Sequence, residues 1–128
     1  MTDAIDFAET RQCACSAARR KARELTRSYE QAMRGSGLRA SQFTLLVTLI
    51  QTGPTPATRL ADFLGLERTT LTRNLRPLLR DGLVAIEDGA DRRVRKIAIT
   101  AKGVETARSA FPFWRKAQEA ALARETGQ

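Results

Sequence analysis

The sequence predicts a mainly α-helical fold with one small β-hairpin, a winged helix-turn-helix carried between long N- and C-terminal helices. Three observations predict it. Leu60, Ala61 and Leu64 recur at helical spacing up to Gly65, a residue suited to the left-handed end of a helix. Directly after it, Leu71, Leu75, Leu78 and Leu79 form one helical stripe while Thr69, Thr72, Arg73 and Arg76 form another on a different face. Two short apolar runs, Leu83 to Ile86 and Lys96 to Thr100, then enclose a stretch rich in arginine.

The composition sets limits on function. A chain of 128 residues holds one core and appended helices. Its formal charge of +8 and pI of about 10.7, beside 42% hydrophobic residues, describe a chain that folds and attracts polyanions. No apolar run approaches the roughly 20 residues of a spanning helix, and no signal-peptide pattern opens the chain, so a cytoplasmic protein without membrane contact is expected. There is no histidine, which removes Ser-His-Asp and Cys-His catalysis and zinc sites with histidine ligands. Gly35-Ser36-Gly37 follows helix-like sequence and reads as a turn, not a phosphate cradle. The expectation is a protein that is not an enzyme and carries no cofactor or metal.

From about Ala4 to Met33 the sequence predicts a long helix, because Cys15, Ala18, Ala22, Leu25, Tyr29 and Met33 recur at spacings of three and four. The stripe is narrow and rich in alanine, which suits close approach of another helix, between domains or between subunits. Arg19, Arg20, Arg23 and Arg27 occupy the other side, as a solvated face or a phosphate-binding one. Cys13 and Cys15 have two readings. Within a helix, residues two apart point about 200° from each other and cannot pair, leaving Cys15 inward and Cys13 outward. If the helix begins near Ser16 as N-cap, the pair lies in an extended lead-in, where it could sense an oxidant or bind a thiophilic metal.

Ser41 is a candidate cap for a short core helix with Phe43, Leu46, Val47 and Ile50 inward. Thr52-Gly53-Pro54 ends it, and Thr55-Pro56 restarts the chain as an N-cap followed by a first-turn proline. In the second helix of the pair, Pro77 predicts a kink or an early end. Asp81-Gly82 closes that helix. The strands that follow place Ile97 and Ile99 on one face, and the arginine-rich segment between them forms a wing able to enter a minor groove. A last helix runs from Thr100 to about Arg124 with Val104, Ala107, Phe111, Trp114, Ala117 and Ala121 inward and a bend at Pro112. Phe7, Tyr29, Phe111, Phe113 and Trp114 flank the terminal helices, where they pack a core or interface or line a pocket.

This order of elements resembles the MarR family of bacterial transcription regulators over nearly the whole chain. The matching stretches are Leu60-Ala61-Asp62-Phe63-Leu64-Gly65-Leu66, Thr70-Leu71-Thr72-Arg73, Gly82-Leu83-Val84, and Asp91-Arg92-Arg93 followed by Ile99-Thr100 and Gly103. The resemblance implies a homodimer paired through its first and last helices (residues 1–36 and 101–128). A DNA-binding domain (37–100) would meet a pseudo-palindromic operator on double-stranded DNA. It implies a repressor released by a small phenolic effector, an oxidant or a metal. By position, Thr70, Thr72 and Arg73 would face the major groove with Arg68, Thr69 and Arg76 beside them. Arg93 would enter the minor groove, flanked by Arg92 and Arg95 and held by Asp91. Tyr29, Phe111 and Trp114 would serve a ligand pocket or interface, and Cys13 and Cys15 a redox response. The chain stops at Gln128, before the further helix with which family members complete the dimer contact. A second expectation is therefore an adaptor that binds another regulator through this fold.

Overall fold

The computed structural model describes residues 4–89, 91 and 94–126. A single 3₁₀ turn (Phe7–Gln12) precedes five α-helices and a three-stranded sheet: α1 (Ala14–Ala32), α2 (Ala40–Thr52), β1 (Thr55–Pro56), α3 (Ala57–Leu64), α4 (Arg68–Arg80), β2 (Val84–Asp88), β3 (Arg95–Ile99) and α5 (Ala101–Thr126). Among the described residues no helix is long and apolar enough to cross a membrane.

The first helix is shorter than its periodicity predicts. Asp6 accepts the Ala8 amide and starts the 3₁₀ turn, and Cys13, extended at φ −60°, caps α1. The Ser16 amide donates to Cys13 Sγ at 3.5 Å, so Ser16 stands in the first turn and the thiol takes the capping role. Cys15 lies inside the helix and is exposed rather than inward, because α1 buries none of its residues within the protomer.

The core is built on α2. Leu45, Leu46 and Leu49 are essentially inaccessible and meet Met33, Leu60, Leu71, Leu75, Leu78 and Ile97. Ile50, expected inward, is 46% exposed, and Leu45 and Thr48 are buried instead. The cap of α2 is Arg39 and not Ser41. Gln42 Oε1 accepts the Arg39 amide at 2.9 Å, and Glu30 of α1 accepts the Ala40 amide while pairing with Arg39 Nε at 3.3 Å. A carboxylate on a neighbouring helix thus satisfies donors that a local hydroxyl was expected to meet.

Thr55-Pro56 forms an edge strand rather than a helix start, and α3 begins at Ala57. The sheet order is β1-β3-β2, all antiparallel, with Thr55 opposite Ile97 and Val84 opposite Ile99. Proline fits there because an edge strand does not need every amide. Gly65 ends α3 in the left-handed region (φ 66°), and its amide bonds back to Asp62 O while Leu66 N reaches Ala61 O. The α4 helix continues through Pro77 to Arg80, so the early end does not occur. Asp81-Gly82 then turns the chain so sharply that Leu83 N bonds to Leu78 O at 2.8 Å.

Small residues set how α5 sits. Its buried positions are Gly103, Ala107, Ala110, Ala117 and Ala121, while Phe111, expected inward, is 41% exposed. The close approach admits glycine and alanine and turns the large side chains to the flank. Pro112 lies within the helix without ending it. Thr100 joins α5 to the hairpin: its hydroxyl donates to Gly82 O at 2.6 Å and accepts the Gly103 amide at 3.0 Å.

Candidate nucleic-acid interface

Helix α4 presents two faces with opposite chemistry. Leu71, Leu75 and Leu78 are buried, which fixes the rotation of the helix about its axis. That rotation leaves Arg68, Thr69, Thr72, Arg73 and Arg76 exposed, with Thr70 half-buried at the boundary. Among the described residues, Arg68, Arg73 and Arg76 make no ion pair, whereas Arg80, one turn further, bonds Asp81 at 3.2 Å. The free guanidiniums therefore cluster at the N-terminal and middle turns.

The sequence reading missed one feature of this helix. Its cap, Glu67, contributes no side-chain hydrogen bond, and the first turn carries no acidic residue. The amides of the first turn and the positive end of the helix dipole are left beside Arg68, where an anion is favoured. The signal was legible in Glu67-Arg68-Thr69-Thr70, which lacks a Ser, Thr, Asp or Asn at the capping position.

The hairpin follows α4 after three residues, Asp81 to Leu83, which places its base beside the C-terminal end of that helix. Opposite charges face each other across the ladder, Glu87 opposite Lys96 and Asp88 opposite Arg95. The hairpin narrows where Gly89 N donates to Val94 O at 2.8 Å and Val94 N to Asp91 O at 2.9 Å. A Cβ on Gly89 would stand 2.7 Å from Val94 O, so only glycine fits this closure. Arg95 and Asp91 are exposed. Arg92 and Arg93 lie outside the described residues.

The terminal helices carry the other candidates. A cleft of about 680 Å³ opens between α2 and α5, lined by Phe43, Val47, Ile50, Val104, Phe111 and Trp114, with Thr44, Thr48, Gln51 and Arg108 supplying polar groups. Trp114 stacks on both Phe43 (6.2 Å between centroids) and Phe111 (5.8 Å). Arg115 covers the Phe111 ring at 4.6 Å. Tyr29 does not line this cleft; its hydroxyl donates to Gln118 across the α1–α5 contact. Cys13 and Cys15 are free thiols. The Ser16 side chain, and then the backbone amides of Ser16 and Cys15, favour the thiolate and hold the Cys13 thiol below its usual pKa. Among the described residues no three His, Cys, Asp or Glu side chains gather to hold a metal ion.

Comparison with known proteins places this geometry. The model of the MarR family matches residues 38–94. The M. tuberculosis transcriptional regulator MosR, crystallised in complex with DNA, is 43% identical, the match covering 91% of this chain and 85% of that one with a TM-score of 0.78. A further MosR crystal structure matches at 39% identity over 93% of this chain and 86% of that one, with a TM-score of 0.80. A probable transcriptional regulator from Pseudomonas aeruginosa shares the fold at 21% identity, covering 88% of this chain and 85% of that one with a TM-score of 0.79. Comparison with proteins of curated function gives no match.

Proposed function

Because the chain belongs to the MarR family of DNA-binding transcription regulators and is not an enzyme, we propose that it works as a homodimeric repressor of a pseudo-palindromic operator. The observation that carries this reading is the exposed Arg and Thr face of α4, turned outward by its own buried leucines. In a helix-turn-helix, such a face enters the major groove with its N-terminal residues at base edges. Arg73 pairs bidentately with guanine, and Thr70 and Thr72 bond neighbouring edges. Arg68, Thr69 and Arg76 take backbone phosphates, and Arg92, Arg93 and Arg95 of the wing track the adjacent minor groove, with Asp91 positioning the tip. The similarity to MosR, a regulator crystallised with DNA, supports the same use of this fold.

The terminal helices pair the two copies. In α1, Cys15, Ala18 and Ala22 are exposed although they lie on its apolar stripe, as expected of a surface that a second copy covers. The α2–α5 cleft takes a small aromatic effector between Phe111, Trp114 and the apolar wall of α2, and its binding releases the operator. The test of the DNA reading is a salt-titrated shift assay on the native promoter fragment. Arg73→Ala is expected to lower operator affinity by about 1 to 3 kcal/mol and to relax base preference. Binding equal to the parent's in both respects would remove α4 as the reading element.

One observation favours an oxidant as a second release signal. Cys13 stands at the N-terminus of α1 with its thiolate favoured, and Cys15 lies exposed in the first turn. A hydroperoxide would oxidise the Cys13 thiolate to a sulfenic acid and leave as the alcohol, and attack by Cys15 on that sulfur would expel water and close a disulfide at the expense of that turn. Replacing both cysteines by serine is expected to abolish release by peroxide and to leave release by a cleft ligand intact.

A further inference from the structure

We propose that α1 carries a second DNA-binding surface, a stripe of Arg19, Arg20, Arg23 and Arg27 that holds the sugar-phosphate backbone of a separate duplex. Arg19, Arg23 and Arg27 recur every fourth residue, and Arg20 precedes Arg23 by three, so all four share one side of the helix. All four are exposed, and among the described residues none meets a carboxylate. Glu30 is held by Arg39 and the Ala40 amide, and Lys21, on another side of α1, pairs with Glu125 of α5 at 3.4 Å. Glu24 borders the stripe but makes no ion pair with it among the described residues, so four cations stand beside one carboxylate.

Its dimensions fit a nucleic-acid backbone. Arg19 to Arg27 spans about 12 Å of helix, enough to meet about two successive phosphates of one strand, which lie farther apart than their axial rise of about 3.4 Å. Guanidinium forks bind phosphate oxygens bidentately, which a lysine stripe does not do. An anionic lipid surface fits less well, because an interfacial helix needs bulky apolar residues opposite its cations, and α1 offers Cys15, Ala18, Ala22 and Leu25.

The duplex is a second one because the two basic surfaces belong to different parts of the fold. Helix α4 packs on α2 and α3 and leads into the hairpin, whereas α1 packs on α5 and α2. A duplex shared by both surfaces would lose affinity when either is changed, whereas a separate one would answer to α1 alone. The consequence is a regulator that bridges two DNA segments.

The experiment immobilises the native promoter fragment, saturates it with the full chain, and adds a fluorescent duplex of scrambled sequence. The parent is expected to retain the second duplex. The variant with Arg19, Arg20, Arg23 and Arg27 all changed to alanine is expected to bind the operator within twofold of the parent and to lose the second duplex at least tenfold. The slope of log K for second-duplex binding against log salt should fall by about 2 in the variant, from about 0.9 per phosphate contact. The corresponding four-lysine variant should retain the second duplex more weakly than the parent. Failure of the parent to bridge, equal retention by the alanine variant, a parallel loss of operator affinity, or preference for phosphatidylglycerol vesicles over the scrambled duplex would each overturn the proposal. Operator binding, read separately, reports on α4 alone.

Discussion

Replacing Gly103 by alanine tests how the wing is fastened to the terminal helix. A Cβ at this position would stand 2.1 Å from Leu83 O and 2.7 Å from Ile99 Cγ1. Both lie at least about 0.8 Å inside ordinary carbon contact distances of about 3.5 Å. The carbonyl cannot simply retreat, since it already accepts Thr100 N at 3.1 Å and the Thr100 hydroxyl at 3.1 Å. Overpacking of this kind costs about 1 to 3 kcal/mol, and losing one of those hydrogen bonds adds about 1 kcal/mol. Against this, alanine gains about 1 kcal/mol over glycine in a helix. The net expectation is a loss of about 1 to 3 kcal/mol, which for a domain of this size lowers Tm by roughly 4 to 11 °C. Calorimetry of parent, Gly103→Ala and the exposed control Ser109→Ala would read it. An alanine variant that melts with or above the parent would refute the close approach of α5 to the hairpin.

Three further outcomes follow from the same geometry. Ser16→Ala, in a Cys15→Ser background, is expected to move the pH midpoint of Cys13 alkylation upward, because it removes the hydroxyl that contributes most to the lowered thiol pKa. In the parent, thiolate reactivity is present above the depressed pKa and is lost as pH falls through it; an unmoved midpoint would show that the cap does not act on the thiol. Arg95→Ala is expected to lower operator affinity with a salt slope shallower by about 0.9, whatever the operator's base sequence, and an unchanged slope would place Arg95 off the phosphates. Amide exchange along residues 14–24 should slow as protein concentration rises, since no residue of α1 is buried in the protomer; protection independent of concentration would refute the pairing of copies through this helix.

The elements that could be read from the sequence are those whose partners lie close along the chain. In α4 both stripes sit within one helix, so the periodicity of Leu71, Leu75 and Leu78 dictated which side Arg73 and Arg76 occupy before any coordinates. The turn at Gly65 is local in the same sense, and the two strands could be read because each carries its own apolar pattern. What escaped was set at a distance. The α2 cap depends on Glu30, ten positions before the Ala40 amide that it receives and on another helix. The edge strand Thr55-Pro56 exists only because Ile97 and Lys96 return beside it.

The outward turn of Phe111 has the same origin. Helical periodicity fixes which residues share a face but not how near that face lies to its neighbour. At the first turn of α5 Leu83 O leaves no ready room for a side chain at position 103, and further along the helix alanines take the buried positions. Phe111 stands at the flank and, with the half-buried Trp114, lines the cleft against α2. The long N-terminal helix shows the opposite case: periodicity groups Cys15, Ala18 and Ala22 on one stripe, yet all three are exposed in the protomer. Most helical stability comes from packing of an apolar face, and α1 packs on α5 and α2 with Leu25 and Tyr29 half-buried. The homodimer proposed above would cover that exposed stripe with the same helix of a second copy, so its loss in a monomer would leave the N-terminal half of α1 without apolar packing.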